Sequence, residues 1–149
     1  MNRLVLLIAA ALLLRTLDSP ARAERIFGLT NFQELVTFDS GSRAVTRTVA
    51  LPGFSIIGER LLSIDVRPAT GELYGLSDQD RLYKINPFTG ASSVVGTGLG
   101  STLTGNVRSI DFNPVVDRIR IVTSSGQNFR AHPDTGRHRV HGYAAQTRE

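Results

Sequence analysis

The chain has no cysteine. This excludes disulfides, thiolate metal sites and a lipid-modified cysteine, so an exported form must rely on its core alone. Lysine is nearly absent, with 16 arginines against the single Lys84. The basic balance is weak ground for a nucleic-acid partner, because no aromatic-basic patch or recognition helix accompanies it. Histidine is limited to His132, His138 and His141. The last two are three apart and face opposite ways on a strand, so no metal site is expected from them. Asp78-Gln79-Asp80 lacks the extended oxygen pattern of a calcium loop. There is no Gly-x-Ser-x-Gly elbow, phosphate loop or dinucleotide fingerprint, and no cofactor is expected. Gly96–Gly105 is glycine-rich but lacks the lysine and following helix a phosphate loop needs.

Long apolar runs are missing too. The longest, Leu4–Leu14, is eleven residues, and spanning a bilayer takes roughly 20. Met1-Asn2-Arg3 precedes it, and Ala21-Arg22-Ala23 gives a small-x-small cleavage site. That order reads as a secretory signal peptide, residues 1–23, with no membrane span left after cleavage. Arg3, Arg15 and Arg22 against Asp18 give it half of the formal net charge of +4. The expected location is periplasmic or secreted.

What remains, residues 24–149, is one domain's worth of chain. Apolar residues make up 41% and charged residues 20%, a composition that supports a packed core. The segment repeats itself. Ile64-Asp65-Val66-Arg67-Pro68 aligns with Ile110-Asp111-Phe112-Asn113-Pro114, and Arg81–Gly90 with Gln127–Gly136, both at an offset of 46. Upstream, Ile26–Thr30 matches Leu73–Ser77 and Glu34–Asp39 matches Arg81–Asn86, both at 47. The copies run approximately over residues 26–50, 61–96 and 107–142, the first beginning at its second strand.

Within a copy, runs of four to six residues alternate in polarity and favour Val, Ile, Tyr and Phe, which reads as strand. Pro114-Val115-Val116-Asp117, Ser124-Ser125-Gly126 and Pro133-Asp134-Thr135-Gly136 supply the turns. They set Ile110, Ile121, Phe129 and Val140 in one cross-strand row, with Phe112, Ile119, Ala131 and His138 beside it. The middle copy gives Ile64, Gly75, Tyr83 and Val94, then Val66, Leu73, Ile85 and Ser92. The expected fold is all-β: antiparallel four-stranded meanders of about 46 residues, like propeller blades. Fewer than three copies cannot close a ring, which takes at least ~4 blades. The ring is therefore expected to be incomplete, and its exposed sheet edges could self-associate.

Ser109–Arg130, Leu61–Leu76 and the opening Ile-Phe-Gly-Leu-Thr together resemble an exported bacterial family described as domain of unknown function 4394. The resemblance covers nearly all of residues 24–149. It implies a secreted, repeat-built β-protein in the style of propellers and assigns no activity or catalytic residue. Members continue past the point matching His141, which makes a C-terminally truncated chain the expectation.

The same register places Asp111, Arg120, Arg130 and Arg139 in one row, with Arg118 and Asn128 on that side. Opposed like charges repel, so the row wants an anion or an acidic partner. A solvated face partly neutralised by Asp111, or one that a lost next blade once covered, is the favoured reading, since surface charge rows usually contribute little. Asp65 and Asp111 recur at one repeat position, which favours bonds to backbone near their turns over paired acid/base work. The leading reading is a binding or cell-envelope interaction scaffold of unknown partner. The alternatives are a fragment of a propeller-type enzyme, with loop residues such as Asp78, Asp80 or Asn106 at its site, and a truncated relic without function.

Overall fold

The computed structural model describes residues 24–99, 103–106 and 108–140, the side chains at 139 and 140 excepted. The expected signal peptide, and His141 with the end of the third copy, lie outside the described residues. Every regular element described is a strand. β1 (Arg25–Leu29), β2 (Glu34–Asp39) and β3 (Val45–Ala50) form a three-stranded sheet, sheet 1. β4 (Leu61–Val66), β5 (Leu73–Ser77), β6 (Leu82–Ile85) and β7 (Ser92–Val94) form sheet 2. β8 (Arg108–Asn113), β9 (Arg118–Thr123), β10 (Asn128–Ala131) and β11 (His138–Val140) form sheet 3. Neighbours in sequence are neighbours in each sheet, all pairs are antiparallel, and no sheet closes on itself.

Turn chemistry sets the register. Asp117 and Gly71 end the turns after β8 and β4 with φ of 48° and 72°. Gly126 and Asp80 hold the next turns at 85° and 58°. That region favours glycine and tolerates aspartate. The resulting rows are those expected: Ile110 opposite Ile121 opposite Phe129 opposite Val140, and Phe112 opposite Ile119 opposite Ala131 opposite His138. In sheet 2, Ile64, Gly75, Tyr83 and Val94 align, as do Val66, Leu73, Ile85 and Ser92.

Sheet 2 lies between the other two. One of its faces packs Leu73, Tyr83 and Ile85 against Leu35, Phe27 and Leu29 of sheet 1. The other packs Tyr74, Leu76 and Leu82 against Ile110, Phe112, Ile119, Ile121, Phe129 and Ala131 of sheet 3. β5 is buried at every position for this reason. The row of Asp65, Tyr74, Lys84 and Ser93 looks unremarkable by residue type but forms part of a sheet-to-sheet junction. Tyr74 sets its ring edge-on to Phe112, centroids 5.1 Å apart. At the same junction Ile110 N donates to Ser63 Oγ at 3.1 Å and Phe112 N to Asp65 Oδ2 at 2.7 Å. Asp65 also accepts from Val66 N at 2.8 Å, beside its own turn as expected.

The Tyr74 hydroxyl is buried without a hydrogen-bond partner among the described residues. It lies close enough to Lys84 and Arg67 to favour both cations, but the geometry of a bond is not met. Removing a buried group that makes no bond costs little. Tyr74→Phe is therefore expected to keep its unfolding free energy, read by urea titration, within about 1 kcal/mol of the parent or to raise it. A loss well beyond that would reveal a bond to the hydroxyl.

The crossover between sheets 1 and 2, residues 51–60, is anchored by Glu59, which is 7% exposed. Its carboxylate accepts from Ser77 Oγ at 2.5 Å, Tyr83 OH at 2.8 Å and Ile56 N at 3.3 Å. Such bonds offset the cost of burying a charge.

Candidate functional site

Strict alternation along β9 and β10 turns Arg118, Arg120, Asn128 and Arg130 to the face of sheet 3 that sheet 2 does not cover. With Asp111, Asn113 and Pro114 these residues line one cavity of about 470 Å³. The register is the expected one, with Asp111, Arg120, Arg130 and Arg139 opposed in turn. The structure thus brings together three of the four expected cations; the Arg139 side chain lies outside the described residues. Arg120 Nε donates to Asn128 Oδ1 at 3.3 Å. Arg118 Nη1 donates to the Asp117 carbonyl at 2.9 Å, which ties it to its own turn. Arg130 is exposed and bonds no described residue.

The loop acids have other work. Asp80 accepts from Arg108 Nη1 at 2.6 Å and from Leu103 N at 3.0 Å. Asp78 Oδ1 accepts from Arg60 N at 3.1 Å. Both carboxylates thereby tie crossover segments to the turn after β5. His138 Nδ1 bonds the Leu99 carbonyl, and His132 Nδ1 accepts from Asp134 N at 3.2 Å. Among the described residues no group of three metal-ligating side chains exists.

A larger cleft, about 730 Å³, opens where sheets 1 and 2 diverge. Arg25, Phe27, Leu73, Ile85, Phe88 and Ser92 are among its walls. Alternation explains the first four: Arg25 and Phe27 are on the side of β1 that carries Leu29 to sheet 2, and Leu73 and Ile85 face back. Phe88 sits in the turn after β6, 54% exposed. Its ring carries two cations, the Arg25 guanidinium 5.4 Å and the Arg47 guanidinium 5.6 Å from the centroid. Neither guanidinium pairs with a described carboxylate. Asp39 is opposite Arg25 in register, but its carboxylate accepts from Gly41 N and Ser42 N of its own turn. Those bonds, Ser42 foremost, hold the Asp39 carboxyl below its usual range. On the far rim Lys84 Nζ donates to Glu72 Oε1 at 3.0 Å. This pairing lowers the Glu72 carboxyl and raises the Lys84 ammonium. The cleft therefore combines apolar walls, the Phe88 ring and the Arg25 guanidinium, while Arg47 reaches the same ring from an adjoining pocket of about 350 Å³.

Sequence pattern alone does not reveal this cleft. Arg25 and Arg47 come from different strands, and Phe88 from a turn of the next sheet. The available signal is the equivalence of Phe88 with Asp134, an aromatic replacing an acid in matched turns.

The family described as domain of unknown function (DUF4394) matches residues 34–148 of the chain. No curated protein matches it.

Proposed function

The chain belongs to the family of the domain of unknown function DUF4394, and we propose that it is an exported binding scaffold whose cleft between sheets 1 and 2 takes an amphipathic anion. The observation that carries this reading is the convergence of Arg25 and Arg47 on Phe88, whose ring, with Arg25, Phe27, Leu73 and Ile85, lines the cleft and shares an adjoining pocket with Arg47. Two like charges gathered over one ring without a counter-ion among the described residues favour an anionic head group, and the apolar walls favour a hydrocarbon body. Export rests on the layout of residues 1–23.

The scaffold is propeller-like in this reading. Three features support it: sheets that recur about every 46 residues, face-to-face stacking, and left-handed residues recurring at the same step. Gln33, Asp80 and Gly126 share one turn position, and Arg43, Gly90 and Gly136 another. Asp78 and Asp80, the acids of the enzyme alternative, bond Arg60, Leu103 and Arg108, which favours a structural role for them and supports the scaffold reading. The arginine face of sheet 3 is a second docking surface, favoured by the gathering of Arg118, Arg120 and Arg130 at one cavity.

Calorimetric titration with decanoate tests the cleft, with decanol as the uncharged control. Decanoate is expected to bind and decanol to bind at least tenfold more weakly. The double variant Arg25→Gln, Arg47→Gln should weaken decanoate by at least tenfold while leaving the thermal transition in place. Equal affinity for the acid and the alcohol, or for parent and variant, would refute the assignment.

A further inference from the structure

Each sheet junction in this chain joins two different faces. Sheet 2 turns its row of Val66, Leu73 and Ile85 back toward sheet 1. Sheet 3 turns the equivalent row, Phe112, Ile119 and Ala131, back toward sheet 2. By the same repeat, Ile26 and Phe38 of sheet 1 match Leu73 and Ile85, and Val45 matches Ser92; the three are aligned in register, and no described strand of sheet 1 stands in the place of Val66. No described sheet lies behind them: Ile26 is 52% and Val45 54% exposed, and Phe38 is half-buried. At the other end, Ser109 and Asp111 take the places of Ser63 and Asp65, which accept the β8 amides at the existing junction. Both are exposed and bond no described residue. Arg120, Val122 and Arg130 complete that open face.

The two uncovered faces are thus the two halves of one further junction. We propose that they meet between two copies of the chain, the outer face of sheet 3 on one copy covering the outer face of sheet 1 on the other. This rests on reading the sheet 3 face as a docking surface and names its partner. The contact is head-to-tail, so it closes only if the rotation per sheet completes a circle. The described sheets of two copies number six, within the ~4–8 that closed propellers use. Ile26, Phe38 and Val45 would then lie under the aliphatic stems of Arg120 and Arg130 and the side chain of Val122. Ser109 and Asp111 would offer side-chain acceptors to backbone N–H groups on the exposed edge of β1, as Ser63 and Asp65 do to those of β8 within the chain.

Light scattering on the size-fractionated chain tests this. The parent is expected at twice the mass of one chain. Ile26→Glu spoils one face and Arg130→Glu the other; each variant is expected at the mass of one chain, with an unchanged far-ultraviolet dichroism spectrum. Mixed together they are expected to pair, because each retains the face the other has lost. A parent of single mass, variants that stay paired, or a mixture that fails to associate would each overturn the two-copy assignment. For a parent of single mass, titration with inorganic phosphate separates the two ideas. Binding that is lost in Arg120→Gln, Arg130→Gln keeps sheet 3 as a docking surface for anions. No binding removes that reading as well.

Discussion

Ile121→Ala is expected to lower stability by about 2–5 kcal/mol, read as a shift of the urea midpoint at constant slope. Ile121 is fully buried on β9, at the centre of the cluster that joins sheets 2 and 3. Its neighbours there, Ile119 and Ile110, are held by strand hydrogen bonds and cannot collapse into the space left behind. The cost should therefore include a cavity contribution as well as lost transfer energy. Domains of this size have about 5–15 kcal/mol in hand, so a loss near the upper end would leave the chain partly unfolded at 37 °C. Val115→Ala provides the comparison. Val115 lies in the turn between β8 and β9 and is 89% exposed, so its truncation should change stability by less than about 0.5 kcal/mol. Similar losses in the two variants would mean that sheet 3 does not pack on sheet 2 through the Ile121 face.

That face was legible in the chain before any coordinates, for a physical reason. Side chains on a strand alternate with a period of two, and short turns leave one register that keeps Ile110, Ile121 and Phe129 together. The arginine row follows from the same constraint. What alternation does not report is the layer above a sheet. Tyr74 and Lys84 read as members of a mixed polar row, yet Tyr74 is fully buried against Phe112. Its burial depends on the stacking of a second sheet. The cleft at Phe88 is hidden for the same reason, since its walls come from two sheets whose separation no local pattern encodes.

Arg67 is the extreme case of a residue whose role is invisible in its own segment. By sequence it is the residue before a turn proline; in the fold it is 8% exposed and clamps sheet 2 to sheet 3. Its Nε donates to Asp117 Oδ1 at 2.9 Å, and its Nη2 donates to the other oxygen of that carboxylate. Nη1 donates to Asp134 Oδ1 at 2.9 Å. The partners are 50 and 67 residues away, in the turns after β8 and β10. A forked pair of this kind is among the stronger polar contacts. Arg67→Met keeps the stem and removes the fork. Breaking a fully buried pair costs about 3–5 kcal/mol; here the stranded carboxylates remain partly solvated, so about 2–3 kcal/mol is expected. The acid response distinguishes a lost ion pair from lost packing. The Arg67 hydrogen bonds hold the Asp117 carboxyl below its usual range. As pH falls through about 4, the unfolded chain therefore takes up its proton first and the folded state loses ground. This contribution is complete above that pH and gone once the folded carboxyl is also protonated. The parent should lose stability between neutral and acid pH more steeply than Arg67→Met, whose Asp117 no longer has the cation. Parallel urea midpoints from pH 7 down through the carboxylate range would show that the fork does not set the charge state of Asp117.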